Sequence, residues 1–165
     1  MGLLLKDLLM LLAKIAFIIL VFLILSALVF GIIRYEEHTM SPAIQDGDLV
    51  VFYRLNQNEY QPRDAIVLKY GGQTQIRRVV ATEGDQVDIT DSGLIINGAL
   101  QQEPDIYEKT ERYRDGGEFP LTVPEGHVFV LGDSRTNATD SRIYGCVETE
   151  ETLGKVMTVI RRRGI

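Results

Sequence analysis

"EEHTMSPAIQDGDLVV", Glu36 to Val51, decides how the rest of the chain is read. Its first half places two hydroxyl residues, Thr39 and Ser41, beside Pro42. Its second half passes through the turn residues "QDGD" into the apolar, β-branched run "DLVVFYRL". A turn that feeds a strand and carries a hydroxyl can present a nucleophile, but only if a neighbouring group takes the proton.

Upstream lies "IAFIILVFLILSALVFGII", Ile15 to Ile33, which carries no charge. A helix of that length spans about 28 Å, close to the hydrocarbon thickness of a bilayer. A buried core helix would show a polar face, and this one has none. A cleaved signal peptide would end in small residues at a cleavage site, whereas this run ends in "GIIRYEE". The sequence therefore predicts a retained transmembrane helix over 15–33. Lys6 and Lys14 precede it and Glu36 and Glu37 follow it, so the positive-inside bias places 1–14 in the cytoplasm and 34–165 outside. The leucine-rich segment 1–14 is expected to lie along the inner surface of the bilayer.

Downstream, "DAIVLKY", "TQIRRVVA", "QVDIT", "GLIING", "LTVP", "HVFVLGD" and "LGKVMTVI" are short β-type runs separated by turn residues. With no long amphipathic helix among them, they predict a mainly β, antiparallel domain. The polar stretch "ALQQEPDIYEKTERYRDGGEF", within about 99–120, breaks this pattern and is expected to be an insertion or long hairpin rising from the core. The final "RRRGI" reads as a solvated end.

The formal charge is −6, and beyond the span 22 acidic residues face 15 basic ones. That balance argues against a nucleic-acid partner. Cys146 is the single cysteine, so no internal disulfide forms and packing alone must hold the domain. His38 and His127 are far apart in sequence and read as surface or turn residues. No metal or other cofactor is expected.

Three stretches together resemble the type I signal peptidase family, membrane-anchored proteases that use a serine nucleophile and a lysine base. "TMSP" stands where that family has Ser-Met-x-Pro. "IRRVVATEGDQV" stands at its Lys-Arg-Val-x-Gly-x-x-Gly-Asp-x-Val box, and "GDSRTNATDSRIYGCV" at its Gly-Asp-Asn-x-x-x-Ser-x-Asp-Ser-Arg-x-x-Gly box. The resemblance runs in order from the anchor to the end of the chain and implies the same antiparallel β fold.

It also implies roles that these residues fit poorly. Thr39 occupies the place of the nucleophilic serine and Arg77 that of the general-base lysine. Ala138 replaces the serine that orients the base, and Glu37 stands where a hydroxyl often holds the oxyanion. Threonine keeps a hydroxyl, although its methyl stiffens χ1. Arginine stays protonated at neutral pH and cannot act as a base. Alanine orients nothing, and a carboxylate at Glu37 repels an oxyanion unless Arg77 neutralises it. His38, adjacent to Thr39 in an extended segment, is expected to point to the opposite face. Ser41 falls at a position that varies in the family. Arg77 is therefore expected to pair with Glu37 and fill the old active site. Asp133, Asp140, Ser141 and Arg142 match the family's supporting network, while Met40 and Pro42 set the turn.

The resemblance yields two main expectations. The first is a catalytically impaired, membrane-anchored helper that binds exported precursors, pilins or other surface proteins, during processing or assembly. Degenerate members of the family are associated with pilus and surface-protein assembly machinery. The second is an active, atypical signal peptidase I that cuts signal peptides after small residues with Thr39 as nucleophile. A purely structural subunit of a secretion complex is a third.

Overall fold

The computed structural model describes residues 2–55 and 59–161. Residues 162–165 of the expected solvated end lie outside the described residues. A single helix, α1 (Gly2–Val29), opens the chain. Nothing breaks its leucine- and isoleucine-rich sequence after Gly2, and from Ile15 onward it carries no charge. None of the apolar stretch Leu5–Val29 is buried inside the protein. A core helix is thereby excluded, because such a surface left bare in water would be strongly unfavourable. The helix is long and apolar enough to cross a bilayer, as a membrane anchor does.

Its boundaries differ from the expected 15–33. Residues 2–14 continue the same helix instead of forming a separate surface segment. At the other end the helix stops at Val29, and Phe30–Arg34 form strand β1. That strand pairs antiparallel with β2 (Leu49–Tyr53), with Gly31 opposite Phe52 and Ile33 opposite Val50. Five paired residues with Gly31 and Ile33 turned to the core outweigh four more residues of helix. Gly31 is required here because any side chain would strike the Phe52 ring.

The remaining strands are β3 (Ala65–Tyr70), β4 (Gln73–Thr82), β5 (Gln86–Thr90), β6 (Gly93–Ile96), β7 (Ala99–Leu100), β8 (Leu121–Thr122), β9 (His127–Leu131), β10 (Val147–Glu148) and β11 (Thr152–Ile160). Every pairing among them is antiparallel. A seven-stranded sheet has the order β1-β2-β11-β3-β4-β9-β10, and a four-stranded sheet the order β7-β6-β5-β8. The mainly β, antiparallel architecture expected from the sequence is the one observed.

The last strand, β11, lies between β2 and β3, so the fold is completed only when the C-terminal segment is in place. Met40, Ile44, Val50, Phe52, Val67 and Ile76 form the core beneath the first sheet. Ala81, Phe129 and Leu131 pack with Val87, Ile89 and Leu94 to join the two sheets. On the outer face of β1, β2 and β11, Phe30, Ile32, Leu49, Met157 and Ile160 are exposed, next to the end of the anchor.

The stretch within about 99–120, expected to rise from the core as an insertion or long hairpin, is held from Glu103 to Gly117 against the loop after β9. The buried Arg135 guanidinium holds Glu103 through two bonds of 2.7 and 2.6 Å and also bonds Thr110. The Tyr113 phenol donates to the Ala138 carbonyl at 3.0 Å, and Gly117 N–H donates to the Arg142 carbonyl at 2.8 Å. A buried guanidinium needs partners, and this strap supplies them.

Gly154 sits at φ +140° in a bulged part of β11, where a Cβ would collide with the Tyr53 carbonyl. Gly154→Ala should lower the free energy of unfolding by about 2 kcal/mol or more, through strain and backbone displacement. A urea titration of the full chain in detergent, followed by tyrosine fluorescence, checks this.

Candidate functional site

The site forms where the first and third family-like stretches meet the middle of β4. Tyr35 to Met40 leave β1 and fold into a turn. Tyr35 N–H donates to the Asp48 carbonyl at 2.9 Å, and Gly47 N–H returns a bond to the Tyr35 carbonyl at 2.8 Å. Met40 is fully buried and fixes the turn to the core. Ser134 N–H donates to the Thr39 carbonyl at 2.9 Å, which joins the turn to the loop after β9. That approach needs Gly132, because a Cβ there would lie 2.8 Å from the Thr39 carbonyl oxygen.

Arg77 projects into this junction from β4 and is 1% exposed. Its Nη1 donates to Thr39 Oγ1 at 2.8 Å and to Glu37 Oε2 at 3.1 Å. The same nitrogen lies 2.6 Å from the Ile76 carbonyl oxygen, and Nε donates to the Thr139 carbonyl at 2.9 Å. The ion pair with Glu37 expected from the sequence is present, with Glu37 25% exposed. Ala138 is buried and contributes no polar group. The backbone carbonyl next to it holds the residue at position 77 instead.

Thr39 Oγ1 also donates to Glu37 Oε2 at 2.8 Å and makes a 2.9 Å hydrogen bond to the Tyr35 phenol. The one Thr39 proton goes to Glu37, so the Tyr35 phenol donates to Thr39, and the phenol oxygen in turn accepts Met40 N–H at 3.0 Å. Burial pushes the Tyr35 phenol up, and its bond to Thr39 pulls the other way. The net upward shift keeps it protonated at neutral pH. A hydroxyl offers one proton and two lone pairs, and all three are taken at Thr39 by Glu37, Arg77 and Tyr35.

Sequence reasoning found no acceptor for the Thr39 proton; in the structure that hydroxyl donates to the Glu37 carboxylate. Tyr35 was also missed. A buried tyrosine requires a partner for its hydroxyl, and its place four residues before Thr39 is the signal that could have found it. His38 is exposed, as expected, but at a bend where the turn begins and not in an extended segment. Ser41 makes none of these side-chain contacts.

The supporting residues form the frame. Asp133 receives Arg78 through two bonds, 2.7 Å from Nε and 2.6 Å from Nη2, and this pairing raises the Arg78 pKa despite burial. Asp140 is fully buried, caps the short helix α2 (Ser141–Tyr144), accepts Gly132 N–H at 3.0 Å and pairs with Arg142 at 2.8 Å. Ser141 Oγ accepts Val130 N–H at 3.0 Å. Tyr144, at the end of α2, stacks on Tyr70 with ring centroids 4.2 Å apart. Burial pushes its phenol far up, with the nearby Arg77 charge opposing. No group of acidic, histidine or cysteine side chains suited to a metal occurs among the described residues.

A cavity of about 540 Å³ opens beside the site, between Ile33–Glu37 and Gln73–Thr74. β4 pairs with β3 from Gln73 to Arg78, but with β9 only from Arg78 onward, so its first half has one unpaired edge toward this cavity.

Breaking a wholly buried ion pair costs about 3–5 kcal/mol. Asp140→Ala should therefore lower stability by about 3–5 kcal/mol. Arg77→Met should cost less, about 2–3 kcal/mol, because Glu37 keeps some contact with water. Urea midpoints for the two variants give the ranking, and a larger loss for Arg77→Met would contradict this reading of burial.

The family described as signal peptidase, peptidase S26, matches residues 8–160. Signal peptidase I of Bacillus caldolyticus is 30% identical over 145 residues, covering 80% of this chain and 80% of that protein. Thylakoidal processing peptidase 1 of Arabidopsis thaliana is 30% identical over 132 residues, and there the match covers 71% of this chain and 38% of the relative. The chain thus spans well under half of the thylakoidal peptidase's length. The crystal structure of a signal peptidase I from Enterococcus faecalis V583 superposes with a TM-score of 0.50 at 30% identity, over 61% of this chain and 97% of that one. A match over almost the whole length, together with an anchor followed by this antiparallel β fold, means that the chain belongs to the signal peptidase family, peptidase S26.

Proposed function

We propose that this protein is a catalytically impaired member of its family that holds extended segments of exported precursor proteins at the outer face of the membrane. The observation that carries this reading is the Arg77 guanidinium, which donates 2.8 Å to Thr39 Oγ1. A lysine-type mechanism needs a neutral amine at this place to accept the hydroxyl proton. A guanidinium only donates, and it occupies a lone pair that attack on a carbonyl would use. The cavity between Ile33–Glu37 and the unpaired edge of β4 offers backbone groups to an extended peptide, so binding needs no catalysis. The N-terminus lies in the cytoplasm, with the β domain and its cavity outside, next to the bilayer. The precursors are those of surface proteins, pilins among them, and the assembly machinery that links them is the partner that receives them.

One observation favours a second reading. Thr39 Oγ1 donates to Glu37 Oε2 at 2.8 Å, so a carboxylate stands where a proton could go. In an active, atypical signal peptidase I that cuts after small residues, Glu37 takes the Thr39 proton and Arg77 steadies the charge. Tyr35 and Arg77 would then have to release the hydroxyl as substrate arrives.

The triple variant T39S/R77K/A138S restores the family's nucleophile, base and orienting hydroxyl. It should cleave a synthetic precursor with an Ala-x-Ala site at least on the order of 10²-fold faster than any residual cleavage by the parent. A triple variant that stays folded yet no more active would count against impairment at these positions. A photo-crosslinking residue at Gln73 should capture the same peptide in parent and Thr39→Ala alike. Absence of any adduct there contradicts holding in the cleft.

A further inference from the structure

A second depression, of about 310 Å³, lies between the turn residues Pro42 and Ala43 and the strap residues Glu103–Tyr107. Its floor is built. Arg78 is clamped by Asp133 and donates from Nη1 to the Arg63 carbonyl at 2.8 Å. Its strap wall is held by the Glu103–Arg135 ion pair at 2.6 Å and by Glu108, which accepts Thr136 N–H at 2.8 Å. Its turn wall is tied at the Ala43 carbonyl, which accepts Arg161 Nη2 at 3.1 Å. Two of its three carboxylates, Asp133 and Glu103, are already in ion pairs. Pro42, Ala43, Ile106 and Tyr107 give the remaining lining an apolar and aromatic face, beside the charged Arg63 and Asp105.

The pocket and the cleft lie on opposite sides of Thr39 along the chain. The cleft is lined by Ile33 and Arg34, four and five residues beyond the end of α1, so it lies toward the membrane. The pocket begins three residues after Thr39, and its wall residue Asp133 adjoins Ser134, whose N–H holds the Thr39 carbonyl. A precursor emerging from the bilayer enters the cleft with its signal-peptide side and passes Thr39. It then meets the pocket with the first residues of its mature part.

We infer that this pocket is a specificity site for an apolar or aromatic side chain just downstream of the small-residue junction in the bound precursor. The inference rests on the cleft binding an extended precursor segment, as proposed above. Because both walls are pinned by buried or charge-assisted bonds, the pocket is formed before the ligand arrives. Selection then comes from burying the side chain and not from ordering the strap.

The test uses the full chain in detergent micelles and three fluorescein-labelled synthetic peptides, read by anisotropy. One ends at Ala-x-Ala. The other two continue beyond it and carry Phe or Asp at the second downstream position. The Phe peptide should bind about tenfold more tightly than the Asp peptide, the scale expected for burying one aromatic side chain. Ala43→Trp, which fills the pocket, and Tyr107→Ala, at an 83% exposed position that cannot unfold the domain, should both bring that ratio toward one. Neither should change binding of the short peptide. A ratio near one in the parent, or a ratio that survives both variants, overturns the specificity site while leaving the cleft reading intact. Failure of the short peptide to bind the parent overturns the cleft reading and this inference together.

Discussion

A guanidinium with 1% exposure has to be neutralised and hydrogen-bonded where it lies, and at Arg77 that requirement organises the whole junction. Glu37 supplies the charge, and the carbonyls of Thr139 and Ile76 and the Thr39 hydroxyl supply acceptors. The turn after β1, the middle of β4 and the loop after β9 are therefore held together by one side chain. A lysine would make fewer bonds in one plane and would lose its proton more readily when buried. Arginine at this position gives a permanently charged, geometrically fixed bridge, which suits a joint better than a base.

Two more buried guanidiniums repeat the principle. Arg135 and Arg142 are each 1% exposed, and together they fasten the 101–120 strap to the loop that carries Asp133, Asp140 and Ser141. Arg142 also lies 4.4 Å from the centre of the Tyr113 ring. Burial opposes its charge, yet Asp140 outweighs that effect and its pKa is raised. Networks of this kind add little net stability over apolar packing, but they permit few alternative arrangements. These bonds tie down the strap side of Thr39, while the first half of β4 keeps an unpaired edge beside the cavity.

Much of this was legible in the sequence, and the misses have physical causes. The strands from β2 to β6, with β8, β9 and β11, announce themselves by β-branched residues between turn signals. β1 does not, because Phe30 to Ile33 extend the apolar run of the anchor without a breaker, and only pairing with β2 separates them from it. β7 and β10 are two-residue strands with no period to read. The Arg77–Glu37 pair could be anticipated because two opposite charges fall at adjacent functional positions and neither tolerates burial alone. The Thr139 carbonyl could not, since backbone acceptors leave no trace in residue identity. The strap looked like a free excursion because its polar residues suit water as well as they suit buried arginines.

The account turns on whether Thr39, with its proton donated to Glu37 in a hydrogen bond and its lone pairs held by Arg77 and Tyr35, can attack a carbonyl. The most direct measurement is mass analysis of a precursor carrying an Ala-x-Ala site after incubation with the purified full chain in detergent, beside its Thr39→Ala variant. The account predicts intact precursor in both, with both proteins folded. Cleavage by the parent that disappears in the variant would contradict it and make Thr39 the nucleophile of a working protease.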